Sequence, residues 1–345
     1  MLKAYMHRRE RYLAMLNDDR LVRPFAWGGE FLGLDIGGSY AEDPAEAIRK
    51  YAAGAFENSD EFFHLPEIAD FALDGDLLTW TSAVETPTAQ NNTARARLFP
   101  AQDKRAAPAA PVAVVVLPHW NAKAGSYFDL CKVFNRFGMA ALRVTLPYHE
   151  ERRESQDARA DYIVSPNIGR TLQSMRQAVV DTRAAVRWLK QQGYEKVGVV
   201  GTSIGSCTAF LATVHDDDID AGVYNHVSGY FADVTWRGLS TYHVREGLEE
   251  KVTLEQLRDL WLPISPLPYL GKLKAKPVRP LKFIYTLYDL TFPHDLSLQV
   301  RQKFIEEKIP ASFSWLPCGH YTLGEKPWVY LDGYKIVSFL RKNLR

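Results

Sequence analysis

From about residue 111 onward, short Val-rich runs alternate with longer stretches of helical spacing. No other feature constrains the fold as much. Val112–Leu117 is a continuous apolar run, too short for a helix and rich in β-branched residues, so it reads as a strand buried on both faces. Residues 126–137 carry apolar positions at helical spacing, and Gly138 follows as a helix-ending glycine. The stretch 139–146 is the next strand, closed by Pro147. A long amphipathic helix is expected over 168–192, with Leu172, Met175, Val179, Ala185, Val186 and Leu189 on one side. Lys196–Thr202 is a third strand, with a helix over 204–214 directly behind it. Further strands are expected at 221–227, 281–287 and 311–316, and a closing helix at 327–343. Such alternation predicts an α/β fold: a mostly parallel central sheet with helices on both faces.

Two regions break the pattern. Residues 229–280 lie between strands without alternating, and carry Trp236, Tyr242, Trp261, Tyr269 and five prolines. They read either as a cap over the sheet edge or as a helical excursion with no gating role. Residues 1–100 form an N-terminal extension: a basic helix, an acidic helical stretch at 43–57, and two or three antiparallel strands joining the sheet edge. Asp74-Gly75 marks a hairpin between two of them. A linker of small residues and proline at 101–111 leads into the domain at 111–345. The extension is expected to govern substrate access or solubility more than chemistry.

Charge narrows the function classes. Forty-two Lys+Arg against 41 Asp+Glu leave a net charge of +1, so no global field attracts nucleic acid or an anionic membrane. No apolar run is long enough to span a bilayer, and the N-terminus has no signal-peptide core, so a cytoplasmic address is expected. Cys131, Cys207 and Cys318 form no C-x-x-C pair, which argues against a disulfide framework or a zinc module. The runs His215-Asp216-Asp217-Asp218 and His149-Glu150-Glu151-Arg152-Arg153 fit no metal spacing; they read as a charged turn and a solvated charge run.

The strongest chemical signal is Gly201-Thr202-Ser203-Ile204-Gly205-Ser206, at a strand-to-helix junction. A G-x-S-x-G there is a nucleophile elbow, whose tight turn needs small neighbours and lifts the serine hydroxyl clear of the sheet. A serine hydroxyl is a poor nucleophile until a base takes its proton, so a histidine and an orienting carboxylate are required. His320 follows the last expected strand and is the candidate base, ahead of His294, which stands at a helix start. Asp289 leaves the end of the 281–287 strand and is the candidate acid, with Asp295 second. Ile204 supplies one oxyanion-hole amide, and Trp120 or Asn121, after the first parallel strand, supplies the other. His119 precedes the nucleophile in the chain and is expected to hold its loop rather than act as base.

Over roughly 111–345 these residues resemble the α/β-hydrolase superfamily, and the 167–188 run is similar to its acetyl-xylan-esterase and dienelactone-hydrolase-like branch. That family usually has glycine after the loop histidine, where this chain has Trp120. The resemblance implies a cofactor-free, metal-free serine hydrolase acting on a small-molecule ester through an acyl-enzyme. Two alternatives stand beside it. An oligopeptidase is one, although 100 residues are too few for a propeller of four-stranded blades and Glu249-Glu250 is a weak site for a peptide amino terminus. A non-catalytic binding module of the same fold is the other. Oligomeric state is not encoded in any of these signals.

Overall fold

The computed structural model describes residues 2–16, 18–36, 43–101 and 111–345. Most of the expected linker therefore lies outside the described residues. Among the described residues, nine strands form a single sheet: β1 (Ala72–Asp74), β2 (Leu77–Thr81), β3 (Thr93–Phe99), β4 (Val112–Leu117), β5 (Ala140–Thr145), β6 (Lys196–Thr202), β7 (Ala221–Asn225), β8 (Leu281–Thr286) and β9 (Ser312–Leu316). Their spatial order is β1-β2-β3-β5-β4-β6-β7-β8-β9. The stretch from β5 to β9 is parallel throughout, and β3 joins β5 antiparallel, so the β1–β3 meander continues the main sheet.

Before the parallel strands come α1 (Leu2–Met15), α2 (Pro44–Glu57) and α3 (Ser59–Phe62). Among them run α4 (Phe128–Arg136), α5 (Ile168–Gln191), α6 (Ile204–His215), α11 (His294–Glu306) and α12 (Trp328–Asn343). Residues 229–280 fold as short helices, namely α7 (Phe231–Arg237), α8 (Tyr242–Leu248), α9 (Leu254–Leu260) and α10 (Leu270–Lys274), with one 3₁₀ turn before α8 and two before α10. Trp261 and Tyr269 of this region are core residues, and the Trp261 indole donates to the Ile168 carbonyl at the start of α5.

Strand β4 shows why the sheet is covered on both sides. Its residues alternate between two apolar layers: Ala113, Val115 and Leu117 pack with α5 and α6, and Val112, Val114 and Val116 pack with α4 and α12. A fully buried valine contributes about 1.5–3 kcal/mol over an exposed one, so this strand leaves no face that water can reach without loss.

Two expectations change. The strand expected over 221–227 stops at Asn225, because His226 turns the chain with φ 66°. The run at 149–153 is not a solvated face: His149 and Arg152 are buried, and Arg143 pairs with Glu150 inside the fold. Arg152 is stabilised there by Asp181 and by the Asn91 and Thr145 carbonyls, since a buried guanidinium requires partners for its donors. The 215–218 run is the expected charged turn, with Asp217 and Asp218 exposed, while His215 and Asp216 are buried and Asp216 pairs with Arg183.

Candidate active site

The carboxyl ends of four adjacent strands deliver the site. Ser203 follows β6, His226 follows β7, Asp289 follows β8 and His320 follows β9. Crevices outside the carboxyl ends of parallel strands are the usual ligand-binding places of such sheets.

Ser203 stands between β6 and α6 with φ 57° and ψ −122°, a conformation that costs a non-glycine residue about 1–3 kcal/mol. The glycines two residues to either side permit the turn. A Cβ on Gly201 would lie 2.1 Å from the Gly205 carbonyl oxygen, and one on Gly205 would lie 2.5 Å from the Leu117 carbonyl oxygen. The Ser203 amide donates to the Asn225 carbonyl at 2.8 Å, tying the elbow to β7. The Ser203 hydroxyl makes no hydrogen bond among the described residues, and such contacts commonly tighten only when substrate binds.

Asp289 is buried and heavily solvated by protein. Its Oδ1 accepts the Thr291 and Phe292 amides, both at 2.7 Å, and its Oδ2 accepts the Thr286 hydroxyl at 3.1 Å and faces His320 Nδ1 at 3.2 Å. Burial alone raises a carboxyl pKa, but the two nearby imidazoles and these donors outweigh it and hold the group far below the usual range. Asp295 is elsewhere, mostly exposed and ion-paired with Arg237. His294 opens α11. The structure thus brings His320 to Asp289 and not to Asp295.

Burial would lower the pKa of His320, yet the Asp289 carboxylate, with a smaller contribution from Glu10, leaves it raised above 6.5. Phe292 stacks on its ring, at 5.4 Å between centroids and 18° between planes.

His226 was not singled out in the sequence. It is fully buried, has positive φ, and places Nδ1 3.1 Å from the same Asp289 Oδ2, off the hydrogen-bonding direction. Burial lowers its pKa, so at neutral pH it is a neutral dipole against the carboxylate. The only local hint is a histidine immediately after the strand that follows the elbow. Among the described residues, His226, Asp289 and His320 also form the one group of metal-ligand type, with ligand atoms within 4.8 Å of one another. The His320–Asp289 hydrogen bond, with His226 packed against the same carboxylate and against the His320 ring, accounts for that closeness.

The loop after β4 separates the two oxyanion candidates. The Asn121 amide donates to His149 Nε2 at 2.9 Å, while His149 Nδ1 donates to the Pro147 carbonyl at 2.9 Å. Burial pushes the His149 pKa down to about 3, which keeps Nε2 an acceptor. Asn121 is therefore committed to its loop. No hydrogen bond among the described residues uses the Trp120 amide. Its indole is fixed by the Ala160 carbonyl at 2.8 Å and stacks on His243 of α8. The Ile204 amide opens α6, where the first N–H groups have no partner within the helix. His119 holds its loop through Tyr127, at 2.9 Å from Nδ1 to the hydroxyl, and burial lowers its pKa to about 4.

The sequence matches no family model and no curated protein. Solved structures of similar fold include an acylaminoacyl peptidase of Pyrococcus horikoshii, with TM-score 0.57 and 14% identity over 81% of this chain and 41% of that one. A puromycin-hydrolyzing peptidase of Mycobacterium tuberculosis aligns with TM-score 0.56 and 16% identity, over 81% of this chain and 49% of its own. An esterase of Pyrococcus furiosus aligns with TM-score 0.51 and 13% identity, over 83% of this chain and 94% of its own. This chain thus spans less than half the length of the two peptidases. The fold is that of the α/β hydrolases.

Proposed function

We propose that this chain is a serine hydrolase that cleaves carboxylic esters through an acyl-enzyme. The observation that carries the reading is the buried Asp289–His320 pair on the β8 and β9 loops, at the sheet edge where the elbow presents Ser203. Asp289 anchors His320 Nδ1, which leaves Nε2 unprotonated and basic. That nitrogen takes the Ser203 proton as Oγ bonds to the ester carbonyl carbon. Negative charge then develops on the carbonyl oxygen, and the Ile204 and Trp120 amides stabilise it. Collapse breaks the bond to the alcohol, which leaves with the proton held by His320. Water, activated by the same nitrogen, then displaces the acyl group and restores Ser203.

Hydrolases of both bond types share the fold, and the ester reading is supported by the resemblance of the 167–188 run to the acetyl-xylan-esterase and dienelactone-hydrolase-like branch. Intact-mass analysis after fluorophosphonate treatment tests the nucleophile: one adduct is expected on the wild type and none on Ser203→Ala. Turnover of p-nitrophenyl esters against acylated peptide anilides tests the bond. Anilide turnover at the ester rate would replace the esterase reading by the peptidase one, and an unlabelled, folded wild type would remove the serine mechanism altogether.

A further inference from the structure

The buried face of α1 carries Met6, Glu10 and Ala14, a stripe one helical turn apart. Glu10 is wholly buried, an unusual place for a glutamate unless its charge is paired or hydrogen-bonded. Its carboxylate accepts the Tyr321 amide on Oε2 at 3.0 Å and the Thr322 amide on Oε1 at 2.8 Å. These are the two residues after His320. The preceding Gly319 is pressed against the same group: a Cβ there would lie 2.3 Å from Glu10 Cδ. The Gly319 amide is bound in turn by the Thr322 hydroxyl at 2.7 Å. The whole 319–322 turn is therefore closed around one side chain from the far end of the chain.

Two further contacts join the N-terminal segment to this region, one from α1 and one from the chain after it. His7 meets Tyr288, the neighbour of Asp289, edge to face, and Arg20 donates to the Tyr321 hydroxyl at 2.9 Å. We propose that Glu10 is a positioning residue for the base, clamping the 319–322 turn so that His320 faces Asp289 and the nucleophile. This inference rests on the serine-hydrolase reading and extends it to the N-terminal helix. The charged and titratable groups around His320 are Asp289 from the β8 loop, His226 after β7, His119 after β4 and Glu10 from α1, with Arg20 acting through Tyr321. Glu10 is thus the second carboxylate that acts on this imidazole, and its negative charge raises His320 basicity.

The test uses full-length wild type, Glu10→Gln and Glu10→Asp, with a p-nitrophenyl ester as substrate and the unfolding midpoint recorded for each. Gln preserves the shape but replaces one acceptor oxygen by a donor that opposes an amide. It should lower kcat by about 10²-fold, because misplacement by about 1 Å has that effect, while KM stays within about twofold. The acidic limb of kcat/KM should move to lower pH, since a charge that favours the imidazolium is gone. Asp keeps the charge and should leave that limb where the wild type has it. Wild-type kcat and limb in a folded Glu10→Gln would overturn the inference. So would equal losses in Gln and Asp with an unmoved limb, which mark a structural role only. Should Glu10→Gln not fold, Gly319→Ala pushes on the same carboxylate, and wild-type kinetics in it also overturn the proposal. A wild type that neither turns over ester nor takes the fluorophosphonate instead sinks the underlying reading.

Discussion

Two regions hold the same histidine turn by different means. The β8 loop holds Asp289 by its own backbone: the Thr291 and Phe292 amides are two and three residues along the chain. The N-terminal helix reaches the His320 turn from 311 residues away, with a single buried acid. The rest of that helix is largely exposed, with Tyr5 and Tyr12 each more than half accessible. A short loop can orient a carboxylate through local amides without outside help. Fixing where the neighbouring loop sits demands a long-range contact, and here the extension provides it. The expectation that the first hundred residues govern substrate access or solubility more than chemistry thus meets a contact on the turn of the proposed base.

Asp289→Asn is the strongest way to separate the two regions. It should lower kcat by about 10⁴-fold through the wrong imidazole tautomer, a loss two orders larger than that of Glu10→Gln. Asp295→Asn should stay within about twofold of wild type, because that side chain is on the surface with Arg237. Matched losses at the two aspartates would mean that the triad acid is wrongly chosen.

The pH profile sharpens the comparison. In the proposed mechanism His320 must be neutral to accept the serine proton; with its pKa raised, kcat/KM should fall on acidification with a midpoint above 6.5. A midpoint below that value would show that the two carboxylates do not dominate the field at the ring.

The smallest effect concerns the floor of the elbow. Asn225, whose carbonyl holds the Ser203 amide, donates to Asp332 Oδ2 at 2.8 Å, while Asn225 Oδ1 and Asp332 Oδ1 are buried without partners. Burial lifts the Asp332 pKa from 3.8 to about 7. Between those values the folded state keeps a proton that the unfolded chain releases, so stability falls as pH rises through this window. Asp332→Asn removes the titration, and its Tm should exceed the wild-type value by about 2–4 °C at pH 8 and by less at pH 5. A larger gain at pH 5 would contradict the buried, proton-holding carboxyl.

Much of the fold was legible because its signals are local. Val112–Leu117, Lys196–Thr202 and the helix of Ile168–Gln191 follow from apolar runs and helical spacing within one window of sequence. Ser203 was legible for the same reason, since an elbow is a five-residue steric problem with glycines at its two ends. Asp289 and His320 were placed by chain order after successive strands. His226 and Glu10 carried no such signal. A histidine after a strand and a glutamate in a basic helix are ordinary until the sheet order and the packing of α1 bring them to Asp289 and Gly319.

The sequence by itself determined the alternating sheet, the elbow and the residue types that a serine mechanism needs, because periodicity and turn sterics act over a few residues. Only the tertiary structure decided which aspartate meets His320, that Asn121 spends its amide on His149, and that the first helix closes on the histidine turn. Those outcomes depend on distances between segments far apart in the chain, and such distances exist only once the sheet has formed.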